Sequence, residues 1–157
     1  MNEMEILKGK DILIVDDEPD LLESLSELFH MCEVDSAANF NSAKELLETR
    51  NYAVAILDIM GVKGYELLEI AVRRDIPAVM LTAHALSAEN FIKSMKSGAD
   101  AYVPKDKLSD ILFFVSDSIR ARQEKEKKPG KWFKLLQPYF DRKFGPGWLD
   151  NYKGFWE

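Results

Sequence analysis

Val54-Ala55-Ile56-Leu57-Asp58-Ile59-Met60-Gly61 decides the reading of this chain, because an unbroken apolar run ends there on a carboxylate. Four apolar residues without alternation suit a strand covered on both faces, as in a parallel sheet flanked by helices. Ligands of such sheets gather at the carboxyl ends of the strands, which is where this strand would deliver Asp58. An aspartate in that place can also simply cap a turn. The other strand ends have to decide.

Working outward, Asp11-Ile12-Leu13-Ile14-Val15 repeats the pattern and ends on Asp16-Asp17-Glu18. Pro19 then suits the first turn of a helix whose apolar side is Leu21, Leu22, Leu25, Leu28 and Phe29. Residues 33–37 form a weaker strand, and Asn39 or Asn41 can cap a helix burying Ala43, Leu46 and Leu47. Beyond Asp58, residues 64–74 predict a helix with Leu67, Leu68, Ala71 and Val72 inward, and Ala78-Val79-Met80-Leu81 predicts a strand ending at Thr82. Ser87 caps a fourth helix carrying Phe91, Ile92 and Met95, which Gly98 closes. Ala101-Tyr102-Val103 leads to Pro104-Lys105, and a fifth helix from about Ser109 presents Ile111, Leu112, Val115 and Ile119. Five alternations of strand and helix predict an α/β fold: a flavodoxin-like, doubly wound, five-stranded parallel sheet flanked by five helices.

Composition divides the 157 residues into a body at 1–122, a charged linker at 123–130 and an aromatic-rich helical extension at 131–157. The body holds 13 basic and 22 acidic side chains, and residues 123–157 hold 8 and 5. An acidic body argues against direct nucleic acid binding and suits a cation. The acidic start and the lack of any apolar run near the roughly 18 residues a bilayer needs lead us to expect a cytoplasmic protein. The single cysteine, Cys32, reads as a packing residue.

A parallel sheet brings Asp16, Asp17, Asp58, Thr82 and Lys105 to one edge. Carboxylates held close together raise one another's pKa unless a cation intervenes. An oxygen-rich site that leaves room for water and a phosphate oxygen suits Mg²⁺ better than Ca²⁺ or Zn²⁺.

In the order and spacing of Ile12-Leu13-Ile14-Val15-Asp16-Asp17-Glu18-Pro19, the Asp58 strand, Leu81-Thr82-Ala83 and Tyr102-Val103-Pro104-Lys105, residues 9–122 resemble the receiver domain of two-component response regulators. The resemblance implies Asp58 as phosphoacceptor, with Asp16, Asp17, Asp58 and the backbone carbonyl of Met60 around Mg²⁺. It implies Thr82, Ala83 and Lys105 as phosphoryl-binding, and Thr82 with Tyr102 as the switch, phosphorylation drawing Thr82 inward and letting Tyr102 bury itself. Met60 and His84 become possible modulators. The implied partners are a sensor histidine kinase or phosphotransfer protein and an unknown downstream protein target; a homodimer is possible and a membrane partner is not favoured. No enzymatic activity is expected beyond self-catalysed phosphotransfer and autodephosphorylation.

The chain departs from the family pattern in two places. Val62 stands where proline is usual four places after the acceptor, and glycine arrives at Gly64, so the loop is two residues shorter. Asp106, not proline, follows Lys105, which removes the familiar cis bond.

Two other readings compete with phosphorylation-controlled signalling. One is a pseudo-receiver acting as a constitutive interaction module. The other is an aspartyl phosphatase, but that chemistry wants a carboxylate two residues after the nucleophile, where Met60 stands. For the tail, Trp132, Phe133, Leu135, Leu136, Tyr139 and Phe140 fall on one helical stripe, a kink or fresh helix is expected near Pro138, and a turn at Gly145-Pro146-Gly147. Nine aromatic residues after position 130 predict segments docked on a receiver surface, its own or a second copy's.

Overall fold

The computed structural model describes residues 2–83 and 86–152. The expectations for His84, Phe155 and Trp156 lie outside the described residues.

The five strands β1 (Asp11–Val15), β2 (Glu33–Ala37), β3 (Val54–Asp58), β4 (Ala78–Thr82) and β5 (Ala101–Pro104) pair entirely in parallel, in the order β2-β1-β3-β4-β5. Every residue of β3 and β4 is buried, as the unbroken apolar runs require, whereas edge strand β2 buries only Ala37. The order reverses direction between β1 and β3, so the switch point of the sheet lies beside Asp16 and Asp58.

The helices are α1 (Glu3–Leu7), α2 (Pro19–Leu28), α3 (Phe40–Thr49), α4 (Gly64–Arg73), α5 (Ala88–Lys96), α6 (Ile111–Gln123) and α7 (Lys131–Phe144). Local chemistry sets several of their ends. The side chain of Asn39, and not Asn41, accepts from Ser42 N at 2.9 Å, and Ser87 Oγ accepts from Asn90 N at 3.0 Å. Gly98 ends α5 at φ +105°.

Several expectations need correction. The sequence pattern did not indicate α1, a five-residue helix capped by Asn2 that buries Ile6 and Leu7. Such a segment is too short to hold itself together and is kept by packing, here against α6. The fifth expected helix starts at Ile111, after a 3₁₀ segment over Lys105–Asp110. Leu28, Val72 and Leu135, expected inward, are 40%, 42% and 54% exposed. Each stands at the margin of an apolar stripe wider than the face its helix buries.

Pro138 neither kinks the chain into a new helix nor ends it, since α7 runs through it to Phe144. Pro138 and Lys134 both lie on the exposed side, so the carbonyl left without its donor is on the solvent face. The turn expected at Gly145-Pro146-Gly147 is present, with φ +95° at Gly145 and +76° at Gly147, and a 3₁₀ turn over Trp148–Tyr152 follows.

Of the two docking surfaces expected for the tail, it takes its own body. Trp132, Phe133, Leu136, Tyr139, Phe140 and Trp148 are buried. No side chain caps α7 from its own N-terminal turn; Asp117 of α6 does so from outside, its Oδ2 accepting from Trp132 N at 3.1 Å. A Cβ on Gly130 would stand 2.9 Å from that same oxygen, which explains glycine there. Among the described residues, no helix is long and apolar enough to cross a membrane.

Candidate functional site

The carboxyl ends of β1, β3, β4 and β5 bring together the residues expected there. Asp16 is fully buried and Asp58 is 5% exposed, while Asp17 is exposed. Asp16 Oδ1 accepts from the backbone N–H of Glu18 at 2.9 Å, which shapes the acidic turn into α2. Lys105 reaches across from the end of β5. Its Nζ lies 2.9 Å from Asp16 Oδ2, 3.1 Å from Glu18 Oε1 and 3.5 Å from Asp58 Oδ1.

The electrostatics follow from this crowding. Burial, then the neighbouring Asp16 carboxylate, push Asp58 up to about 6, although the Lys105 ammonium pulls the other way. Burial opposes the charge on Lys105, but hydrogen bonds to Asp16 and Glu18 outweigh it and raise the ammonium to about 12. Lys105 is therefore a permanent cation at the site, and Asp58 is a carboxylate kept costly to ionise. Burial also holds the Cys32 thiol at about 11, and its Sγ donates to the Leu7 carbonyl, so no thiolate forms at neutral pH.

Asp16, Asp17 and Glu18 can each offer an oxygen, all within 4.8 Å of one another. An all-oxygen, multiply anionic set beside a carboxylate whose pKa is raised fits a small hard dication. The sequence places Glu18 only in the acidic turn. Its signal was present, a third carboxylate in a row, but its partner Lys105 is 87 residues away.

The shortened loop after Asp58 has a definite geometry. Gly61 takes φ +87° and Lys63 φ +55°, turning the chain sharply into α4. A Cβ on Gly61 would meet Asp17 Oδ2 at 2.4 Å, and one on Gly64 would meet the Asp58 carbonyl oxygen at 2.2 Å. Gly64 N donates to the Ile59 carbonyl at 3.1 Å, so the loop folds directly back on the strand that carries Asp58. Val62 is fully buried in the core and Met60 exposes its side chain.

Thr82, 1% exposed, ends β4 and is followed by exposed Ala83. The Tyr102 side chain is fully buried; its hydroxyl hydrogen-bonds with Thr82 and accepts from Ser87 N at 3.3 Å. Burial pushes that phenol up to about 12. The ring lies inside, against Phe91 at 5.3 Å and Phe140 at 6.0 Å. The peptide bond after Lys105 is trans, and among the described residues the one cis bond joins Lys128 and Pro129.

Comparison with known proteins agrees with this fold. The family model for the response regulator receiver domain matches residues 12–113. The chain is 36% identical over 105 residues to the phosphate regulon transcriptional regulatory protein PhoB of Pseudomonas aeruginosa, covering 62% of this chain and 45% of that protein. It is 30% identical over 103 residues to the two-component response regulator ARR18 of Arabidopsis thaliana, covering 62% of this chain and 16% of that one. The chain thus spans less than half the length of these curated relatives. The crystal structure of a CheY-like response regulator receiver domain protein from Methanospirillum hungatei JF-1 superposes with a TM-score of 0.67 at 30% identity, covering 75% of this chain and 99% of that one.

Proposed function

Because this chain belongs to the response regulator receiver domain family, we propose that it is a phosphorylation-controlled signalling protein that accepts a phosphoryl group on Asp58 from a histidine kinase or phosphotransfer protein. The observation that carries this reading is the joint placement of Asp58 and Asp16 around the Lys105 ammonium at the switch point of the sheet.

Asp58 is the nucleophile: its oxygen forms the O–P bond as the N–P bond of a phosphohistidine breaks, in line. Lys105 Nζ, already 3.5 Å from that carboxylate, pairs with charge on the phosphoryl oxygens. Thr82, at the end of the adjacent strand, donates its hydroxyl to another. Asp16, Asp17, Asp58 and the Met60 carbonyl would hold Mg²⁺, which supplies charge neutralisation for the transferred group. Hydrolysis of the acyl phosphate resets the protein, which has no other catalytic role, and its output passes by protein contact.

Incubation with acetyl phosphate and Mg²⁺ followed by intact-mass measurement tests the reading: one phosphoryl group should be gained, and Asp58→Ala should gain none. A substituted protein that gains the phosphate mass at the original rate overturns the assignment. The alternative, a constitutive interaction module, would show no mass gain in the original protein either.

A further inference from the structure

The aromatic tail meets the candidate site at two separate places through two consecutive residues. Phe140 lies 6.0 Å from Tyr102 and 5.1 Å from Phe91, and Trp148 closes on Phe91 at 5.2 Å. The ring of Tyr102 is thus enclosed by the tail while its hydroxyl bonds Thr82. Next to Phe140, the Tyr139 hydroxyl donates to Asp106 Oδ2 at 3.0 Å, and Asp106 directly follows Lys105. Lys107 lies over the Tyr139 ring at 5.3 Å, so this one side chain grips the 3₁₀ segment leaving β5. At the other end α7 is anchored by Asp117.

These contacts restrict the two groups that must meet a phosphoryl oxygen. With the tail docked, Tyr102 holds the Thr82 side chain at the edge of the sheet, and the Tyr139–Asp106 bond limits the travel of the backbone that carries Lys105. Groups held in place beforehand lose less freedom when the ligand arrives.

We propose that the tail is a built-in effector of the Asp58 site: docking of α7 and phosphoryl occupancy favour the same arrangement of Thr82, Tyr102 and Lys105, so each strengthens the other. This rests on the phosphoacceptor reading above. A loosened tail leaves Thr82 and Lys105 less preorganised for the transferred group and so slows phosphorylation, and linkage of the two equilibria means that phosphorylation tightens the tail. All three tryptophans, Trp132, Trp148 and Trp156, follow residue 130, so tryptophan emission reports on the tail alone.

The test uses the full chain with acetyl phosphate and Mg²⁺, following phosphate uptake by intact mass and tail environment by tryptophan emission. Tyr139→Phe removes the hydroxyl that reaches Asp106, and Phe140→Leu removes the ring that covers Tyr102. Each should slow uptake about threefold to tenfold, and phosphorylation should shift the emission of the original chain. Asp106→Ala breaks the same hydrogen bond from an exposed position, so it keeps the test decisive if a tail variant fails to fold. Uptake that is unchanged or faster in the folded variants, with emission indifferent to phosphorylation, overturns the proposal and leaves the phosphoacceptor reading standing. An original chain that takes up no phosphate overturns both.

Discussion

Lys105 Nζ stands 2.9 Å from Asp16 but 3.5 Å from Asp58, so the ammonium lies nearer the fully buried carboxylate than the proposed phosphoacceptor. The reason is desolvation: Asp16 has no access to water and needs the cation more. Asp58 is left with partial neutralisation and a raised pKa.

Lys105→Met should therefore act twice. Losing the cation leaves Asp16 and Asp58 to repel each other, and it removes the group that pairs with phosphoryl charge. Phosphate uptake from acetyl phosphate should fall by about a hundredfold, the scale for losing one preorganised charge donor. A rate within threefold of the original chain would show that Lys105 serves only the buried Asp16.

Asp58→Asn should stabilise the metal-free fold in a pH-dependent way. A carboxyl raised from 3.8 to about 6 binds its proton more tightly folded than unfolded, so its contribution is favourable at low pH and is lost as pH rises through 6. Above pH 6 the ionised group costs up to about 3 kcal/mol at 1.36 kcal/mol per unit. Urea unfolding with a chelator present should show the gain at pH 8 and almost none below pH 4. Equal gains at both values would mean that the charge at Asp58 is not what matters.

Asp17→Ala should weaken Mg²⁺ binding far more than Thr82→Ala, because the hydroxyl is expected to meet phosphate, not metal. Gly61→Ala should weaken it as well, since its Cβ would fall 2.4 Å from Asp17 Oδ2. Comparable losses for Asp17→Ala and Thr82→Ala in a calorimetric titration would undo this division of roles.

Gly64→Ala should be worse for stability than Gly145→Ala. At Gly64 the new atom collides with backbone, 2.2 Å from the Asp58 carbonyl, and cannot be relieved by a rotamer change. At Gly145 nothing lies within 4 Å, so only the backbone conformation, φ +95° and ψ 150°, penalises a side chain, by about 1–3 kcal/mol. Thermal unfolding of the two variants, if it ranked them in the reverse order, would refute the tight-loop geometry after Asp58.

Asp117→Ala should loosen the start of α7 and cost about 1–2 kcal/mol, the usual scale for a lost helix cap. Asp117→Asn keeps an acceptor for Trp132 N and should retain most of it. Arg120 keeps Glu124 and Glu126 as partners in either variant. A red shift in tryptophan emission confined to the alanine variant is the expected signature.

The sheet and its functional edge could be read from sequence because each depends on neighbours along the chain. Unbroken apolar runs ending on Asp16, Asp58 and Thr82 define strands and their ends, and Ser87 and Asn39 cap helices three residues away. The parallel sheet then brings Asp16, Asp58, Thr82 and Lys105 to one edge whatever the loops do. Distances between separate segments are a different matter. The pairing of Glu18 with Lys105, the capping of α7 by Asp117 and the grip of Tyr139 on Asp106 join residues 87, 15 and 33 positions apart, with no periodicity to announce them. The burial of Tyr102 belongs to the same class: its tyrosine and strand were legible, but its environment is made by Phe91, which packing of α5 on β5 brings, and by Phe140, which only the docked tail brings. Local chemistry determined the elements and the edge where the site lies; the tertiary structure alone decided what each side chain meets there, because burial and charge pairing depend on segments that the chain order keeps apart.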